Sequence, residues 1–113
     1  MSSPLTSHVL DTATGRPAAG LDLVVDRLHD GQWERLCTGK TNTDGRAPGL
    51  LTQDEFAAGT YRVTFATGPW LAAQNQPVFY PEAAIVFVVD SPTEHYHIPL
   101  LLSPFGYSTY RGS

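Results

Sequence analysis

The chain has 113 residues, enough for one domain and too few for two, so we predict a single domain over residues 1–113. Ten Gly and nine Pro break the chain too often for a helix bundle and favour short strands joined by tight turns. Seven Lys and Arg against eleven Asp and Glu give a net charge of −4, which argues against nucleic acid as a partner.

The first half of the chain consists of strand-like runs separated by turn signals. Leu21, Leu23 and Val25 recur at period two, which predicts one strand face in a core. Asp30-Gly31 lies between two such runs and is a strong hairpin signal. The predicted strands are residues 4–11, 21–29 and 33–39, followed by a loop at 41–49.

The second half adds further strands and one helix. Tyr61, Val63 and Phe65 alternate with polar residues and predict a second buried face. Pro69 suits the first position of a short helix. Residues 84–90 are nearly all apolar, which is typical of a strand buried on both faces. The predicted elements are strands at 61–67, 84–90, 95–102 and 107–111 and a helix between 68 and 76; residues 50–58 fit either a short strand or a helical turn.

Seven or eight short strands without a repeat or linker predict an antiparallel β-sandwich. In the strand at 95–102, the even-numbered residues are all apolar and predict the core side. His95 and His97 then point away from the core, and Pro99, which lacks a ladder donor, predicts an edge position or a bulge. Two histidines on one face can bind a metal, but no third ligand stands at a recognisable spacing, so we favour two exposed histidines.

The residues by themselves single out only a few polar side chains. Arg46 follows Gly45 in a turn, where most arginines are simply solvated. At the chain end, the phenol and guanidinium of Tyr110 and Arg111 would suit a planar, oxygen-rich ligand, although a frayed terminus fits the same residues. Cys37 has no acid or base beside it, so we predict a buried, inert thiol. The candidates at this point are His8, Arg46, His95, His97, Tyr110 and Arg111.

We expect neither a membrane partner nor a secretory signal. The longest apolar runs, residues 83–89 and 98–102, are far shorter than the about 20 residues that cross a bilayer. Residues 1–11 do not combine a cationic start with an apolar segment. The single cysteine cannot form an intramolecular disulfide, which fits a reducing compartment. We therefore predict a cytoplasmic protein.

Four segments, in order and over essentially the whole chain, resemble one known family. They are residues 5–11 (LTSHVLD), 15–18 (GRPA), 39–46 (GKTNTDGR) and 95–113 (HYHIPLLLSPFGYSTYRGS). They are similar to the transthyretin family, and within it to the enzymatic branch that hydrolyses 5-hydroxyisourate. The closing segment is the longest and most specific of the four.

The resemblance implies two four-stranded sheets, one short helix, and a homotetramer whose sites lie at the dimer–dimer interface. It implies hydrolysis of 5-hydroxyisourate to 2-oxo-4-hydroxy-4-carboxy-5-ureidoimidazoline by opening of the N1–C6 bond, without metal or cofactor. Carried onto this sequence, the catalytic residues are His8, Arg46 and His97. The residues expected at the substrate are Ser108, Tyr110, Arg111, Gly112 and Ser113.

The alternative is a non-catalytic carrier of small molecules, because hormone-binding transthyretins share the fold. Carriers lack the set of two histidines, an arginine and a closing Tyr-Arg-Gly-Ser, which is complete here, and Tyr110 would close a channel that a carrier keeps open. The resemblance gives His95 no role. The sequence does not assign the general base between His8 and His97, the stereochemical preference at C5, the individual roles of the closing residues or any partner enzyme.

Overall fold

The computed structural model describes residues 3–113 and contains nine strands and one α-helix within that range. A single turn of 3₁₀ helix at Gln53–Glu55 settles the segment for which the sequence left two alternatives. The elements in chain order are β1 (Leu5–Asp11), β2 (Arg16–Pro17), β3 (Asp22–His29), β4 (Gln32–Lys40), β5 (Arg46–Ala47), β6 (Gly59–Phe65), α1 (Thr67–Ala73), β7 (Ala83–Val89), β8 (Tyr96–Ser103) and β9 (Gly106–Thr109).

The strands form two sheets packed face to face, which confirms the predicted sandwich. One sheet has the order β4-β3-β6-β7, and the other has the order β2-β1-β8-β9, with β5 also paired to β1. Because β8 runs along one side of β1 over its whole length, the two-residue strands β2 and β5 share the opposite side. The second sheet therefore contains five strands but is at most four strands wide. Three features were not predicted: the strand β2, the strand β5, which lies inside the predicted loop 41–49, and the parallel pairing of β1 with β8.

Local sequence signals set several of these elements. Asp30 and Gly31 take φ values of 50° and 75°, as the predicted tight hairpin between β3 and β4 requires. The six residues predicted to face the core in the runs 21–25 and 61–65 do so, with exposed fractions of 1% or less. They are Leu21, Leu23, Val25, Tyr61, Val63 and Phe65. The helix α1 begins at Thr67, so Pro69 is its third residue and not its first.

The prediction that residues 84–90 are buried on both faces is wrong. Strand β7 is the edge of its sheet, with β6 on one side only. Its alternate residues Ile85 and Phe87 pack against the core, whereas Val86 and Val88 are 56% and 60% exposed. An apolar run therefore predicted a strand correctly but not its place in the sheet, because both faces of this strand are apolar in sequence.

Pro99 lies in an interior strand, so the predicted edge position is wrong. Strand β8 has β1 on one side and β9 on the other. The β8–β9 ladder pairs Leu100 with Thr109, and the same register resumes where His97 meets Gly112. Pro99 falls in the gap between these two pairs and has no N–H to donate there. The proline thus interrupts the ladder opposite Tyr110, where the chain leaves β9.

A buried carboxylate on β3 binds two arginines of neighbouring strands. Asp26 is 3% exposed, and it accepts hydrogen bonds from Arg35 Nε and Arg62 Nη2, each at 3.1 Å. It lies at a register shift between β3 and β4, and the Arg62 guanidinium stacks on Trp33 at 4.3 Å. Asp26 on β3 therefore links Arg35 of β4 to Arg62 of β6 through hydrogen bonds.

We expect Asp26→Asn to lower the free energy of unfolding by about 2–3 kcal/mol, because it leaves two guanidinium groups without their buried counter-charge. Urea unfolding at fixed protein concentration measures the change. The matched control is Asp22→Asn, because Asp22 forms an exposed ion pair with Lys40 at 3.5 Å and should change stability by less than about 1 kcal/mol. Equal losses in the two variants would contradict the structural role of Asp26.

Candidate active site

The outward face of the second sheet brings three predicted residues together where β1, β5 and β8 lie side by side. His8 on β1 is paired with Arg46 on one side and with Pro99 on the other. Thr6 lies two residues before His8 on β1, on the same face of the sheet, and is paired with His97 of β8. Buried residues alternate with these along β1, so period two turns Thr6 and His8 outward.

A cavity of about 260 Å³ opens on this face. It contains Arg46, His97 and Ser113 of the predicted set, together with Thr6 and His95. The remaining lining residues are Ser7, Ala47 and Pro48. The ionisable side chains that line it are basic: Arg46 on β5, His97 on β8, and His95 immediately before β8. This arrangement favours a ligand with several carbonyl or carboxylate oxygens.

His97 is held from both sides of its strand. Its Nδ1 lies 2.8 Å from Thr6 Oγ1, and its backbone oxygen accepts a hydrogen bond from Gly112 N at 2.8 Å. A Cβ atom at Gly112 would overlap the Cδ2 atom of the His97 ring, so only glycine fits there. Gly112 therefore allows the closing segment to lie directly against the His97 imidazole.

The surroundings of His97 lower the pKa of its imidazole below the usual value. Burial is the largest cause and the positive charge of Arg46 is the next, and electrostatic repulsion by His95 and His8 acts in the same direction. A lowered pKa leaves the ring neutral at pH 7, in the form that accepts a proton. Nε2 is the ring nitrogen left for this role, because Nδ1 faces Thr6.

Arg46 is positioned by the loop that precedes it. The Asn42 side chain accepts hydrogen bonds from Asp44 N and Arg46 N, at 2.9 and 3.1 Å, and closes the turn. Gly45 takes a φ of 75°, and a Cβ there would lie 2.5 Å from the backbone oxygen of Val9. The residue types of this turn thus hold Arg46 against β1.

Sequence reasoning missed Thr6 and left His95 without a role. Thr6 Oγ1 lies 2.8 Å from His95 Nε2 and 2.8 Å from His97 Nδ1, so one hydroxyl joins two imidazoles. Period two did place His95 and His97 on one face. Nothing in the sequence, however, indicated that β1 would run parallel to β8 and set Thr6 beside them.

The other predicted substrate residues lie outside this cavity within one chain. Arg111 donates to Glu94 Oε1 at 3.1 Å and stacks on the Tyr96 ring at 4.2 Å. Together with Tyr110, it lines a second cavity of about 350 Å³ beside β7. Ser108 is exposed on β9, opposite Leu101.

The structure also bears on the remaining sequence hypotheses. Among residues 3–113, no group of three or more His, Cys, Asp or Glu side chains is placed to hold a metal ion. Cys37 is half-buried, and burial raises the pKa of its thiol to about 11, as expected for an inert group. Within the same described range, no helix has the length and apolar character needed to cross a membrane.

One protein family and several known proteins match nearly the whole sequence of this chain. A profile of the HIUase/transthyretin family matches residues 5–112. The 5-hydroxyisourate hydrolase of Mus musculus is 51% identical to this chain, over 99% of this chain and 97% of the mouse protein. A 5-hydroxyisourate hydrolase of Salmonella typhi is 45% identical, over 99% of this chain and 82% of its own length. These matches span both sheets and every strand that carries the cavity.

Comparison of structure gives the same fold. Sea bream transthyretin, solved in complex with thyroxine, has a TM-score of 0.92 and 38% sequence identity, over 96% of this chain and 94% of that one. The family therefore includes proteins named as hydrolases, and the same fold occurs in a transthyretin solved in complex with thyroxine. The side chains of the cavity, and not the fold, must distinguish the two functions.

Proposed function

The chain belongs to the HIUase/transthyretin family, and from that premise we propose that it hydrolyses 5-hydroxyisourate in the cavity between β1, β5 and β8. One observation carries the proposal: the imidazole of His97 and the guanidinium of Arg46 line the same cavity of about 260 Å³. A neutral imidazole is suited to activate water, and a fixed cation is suited to stabilise a carbonyl oxygen as it becomes charged. The sequence identity of 51% to the mouse hydrolase supports the same substrate.

In the proposed reaction, His97 transfers a proton from the attacking water to N1 of the substrate. His97 Nε2 takes one proton from the attacking water, and the water oxygen forms a bond to C6 of the substrate. Negative charge grows on the C6 oxygen, towards which Arg46 directs its N–H groups. When this tetrahedral intermediate collapses, the N1–C6 bond breaks and His97 returns the proton to N1. The product first has a carboxylic acid at C6, which loses the second water proton to solvent and becomes a carboxylate. No covalent intermediate with the protein is required.

His8 and the closing residues contribute by position and charge. His8 is paired with Arg46 across β1 and β5, and its charge is among those that lower the pKa of His97. Ser113 lines the cavity beside His97. We assign the general base to His97 over His8 because the lowered pKa of His97 keeps this imidazole neutral, and because His97 lines the cavity.

A homotetramer with its sites at the dimer–dimer interface is part of the proposal. Tyr110 and Arg111 lie outside the cavity of their own chain, and an assembly of copies would allow them to shape a neighbouring site. Exposed apolar side chains support association: Val86, Val88 and Tyr110 are 56%, 60% and 59% exposed. The cytoplasmic location stays a prediction. So does a place for the reaction in urate breakdown, which the family resemblance implies.

The measurement that tests the function is the decay of ultraviolet absorbance of freshly generated 5-hydroxyisourate, with and without the protein. We expect decay far above the spontaneous rate, unchanged by a chelator. Decay at the spontaneous rate from a folded protein would contradict the hydrolase. The carrier suggested by the thyroxine complex of the sea bream relative would then be tested by direct binding of thyroxine.

A further inference from the structure

We propose that Thr6 and His95 are positioning residues that hold His97 in the tautomer protonated on Nδ1, through the hydrogen-bond chain His97 Nδ1–H to Thr6 Oγ1–H to His95 Nε2. This inference rests on the proposed role of His97 as general base, because it explains how Nε2 is kept free to accept a proton. Neither Thr6 nor His95 touches the reacting atoms in this scheme.

Two arrangements of the protons use the Thr6 hydroxyl both as a donor and as an acceptor. Thr6 Oγ1 lies 2.8 Å from His95 Nε2 and 2.8 Å from His97 Nδ1. The hydroxyl has one proton and can donate it to only one of the two nitrogens. If it accepted from both imidazoles, its own proton would have no acceptor among the described residues, so we take it to donate to one nitrogen and accept from the other. In one arrangement Thr6 accepts from His97 and donates to His95. In the other arrangement both bonds are reversed.

Only the first arrangement suits a base at His97. If Thr6 donated to Nδ1, the neutral ring would have its proton on Nε2, and that nitrogen could not take a proton from water. With Nδ1 protonated, the free lone pair of His97 is on Nε2, and His97 lines the cavity. When Nε2 has accepted its proton, the Nδ1 proton stays hydrogen-bonded to Thr6. No proton passes to Thr6 or His95, which is why they position the base and do not act as bases themselves.

The fold places the three groups side by side. Thr6 and His97 are cross-strand neighbours in the parallel β1–β8 pair, and His95 immediately precedes β8. The two imidazole rings are nearly parallel, with centroids 6.2 Å apart and an interplanar angle of 28°. His95 is exposed, so water can satisfy its Nδ1–H, and this leaves Nε2 as the acceptor for Thr6.

The first test reads the tautomer directly. Long-range ¹H–¹⁵N correlation spectra of the unmodified protein, without substrate and above the pKa of His97, should show Nδ1 protonated and Nε2 unprotonated for His97. The opposite assignment for His97 would overturn the proposal. Because this measurement requires no turnover, its failure is distinguishable from failure of the hydrolase function, which the absorbance assay detects on its own.

The second test removes the Thr6 hydroxyl. We expect Thr6→Val to lower kcat by about 10–100-fold with little change in KM, and Thr6→Ser to restore most of the rate. Thr64→Val, on β6 of the other sheet, is the matched control and should retain the full rate. Unchanged kcat in Thr6→Val would overturn the proposal, and if that variant fails to fold, the tautomer spectrum of the unmodified protein still decides.

The pH profile of Thr6→Val gives a signature that loss of packing would not produce. His97 is faced by His8 on β1, Arg46 on β5 and His95, all of which remain. Removing an acceptor from Nδ1–H disfavours the imidazolium, so the acid limb of kcat/KM should move to lower pH. Removing a donor to Nδ1 would move it to higher pH, and that result would overturn the proposed direction of the chain.

His95 allows an independent check with two variants. Gln can present its amide oxygen near the position of His95 Nε2 and accept from Thr6, whereas Leu cannot. We expect His95→Gln to keep most of the rate and His95→Leu to lower kcat as Thr6→Val does. Equal rates for His95→Leu and the unmodified protein would show that the chain ends at Thr6 and would overturn the role of His95.

Discussion

Replacing His97 with asparagine is expected to lower the turnover of 5-hydroxyisourate by about 10²–10⁴-fold, because an amide cannot take a proton from water or return it to N1. The fold should remain, since the His97 side chain points away from the core that Tyr96 and Ile98 enter. Steady-state kinetics on freshly generated substrate measure the loss, and circular dichroism checks the fold.

The control for this variant is His29→Asn, because His29 is an exposed histidine at the end of β3, in the other sheet. It should leave the rate unchanged. The pH dependence adds a second criterion. The lowered pKa of His97 predicts that the unmodified enzyme keeps its activity somewhat below pH 6.5 and loses it as the ring becomes protonated. That acid limb should be missing from the residual rate of His97→Asn, and its persistence there would assign the base to another group.

Replacing Arg46 with methionine is expected to lower kcat by about 10²–10³-fold, the usual effect of removing one donor to a developing oxyanion. Arg46→Lys should recover only part of this loss, because an ammonium keeps the charge but not the planar pair of donors. The control is Arg16→Met, an exposed arginine of β2, which should retain the full rate.

The same two variants separate charge from geometry at the cavity. The positive charge of Arg46 is one cause of the lowered pKa of His97. Arg46→Met should therefore raise that pKa towards its ordinary value and move the acid limb of kcat/KM to higher pH, whereas Arg46→Lys should leave the limb in place. A full rate in Arg46→Lys would mean that the guanidinium supplies only charge.

Strand-level features of the fold were predictable because they depend on local chemistry. The alternation of residues 95–102 put Tyr96 and Ile98 in the core and turned His97 outward, as the structure has them. The hairpin at Asp30-Gly31 followed from two residues that tolerate positive φ. Neighbouring strands were harder to assign: β7 proved to be an edge strand, and Pro99 lies in an interior one.

The sequence identified some features of the candidate site, whereas others became visible only in the structure. The resemblance of the sequence named His8, Arg46 and His97, and the structure brings them together on one sheet face. It could not reveal Thr6 as their neighbour, because Thr6 and His97 are separated by most of the chain. Arg111 was expected at the substrate, yet within one chain it stacks on Tyr96 and pairs with Glu94.

The sequence by itself determined the β-sandwich class, the inward and outward faces of most strands, the family and the types of residue available for chemistry. These follow from period-two patterning and turn residues, which act over a few positions along the chain. The tertiary structure alone decided which strands lie side by side, and with them the pairing of Thr6 with His97 and of His8 with Arg46. Such pairings depend on contacts between residues far apart in sequence, and the register of a parallel pair leaves no local signal in either strand.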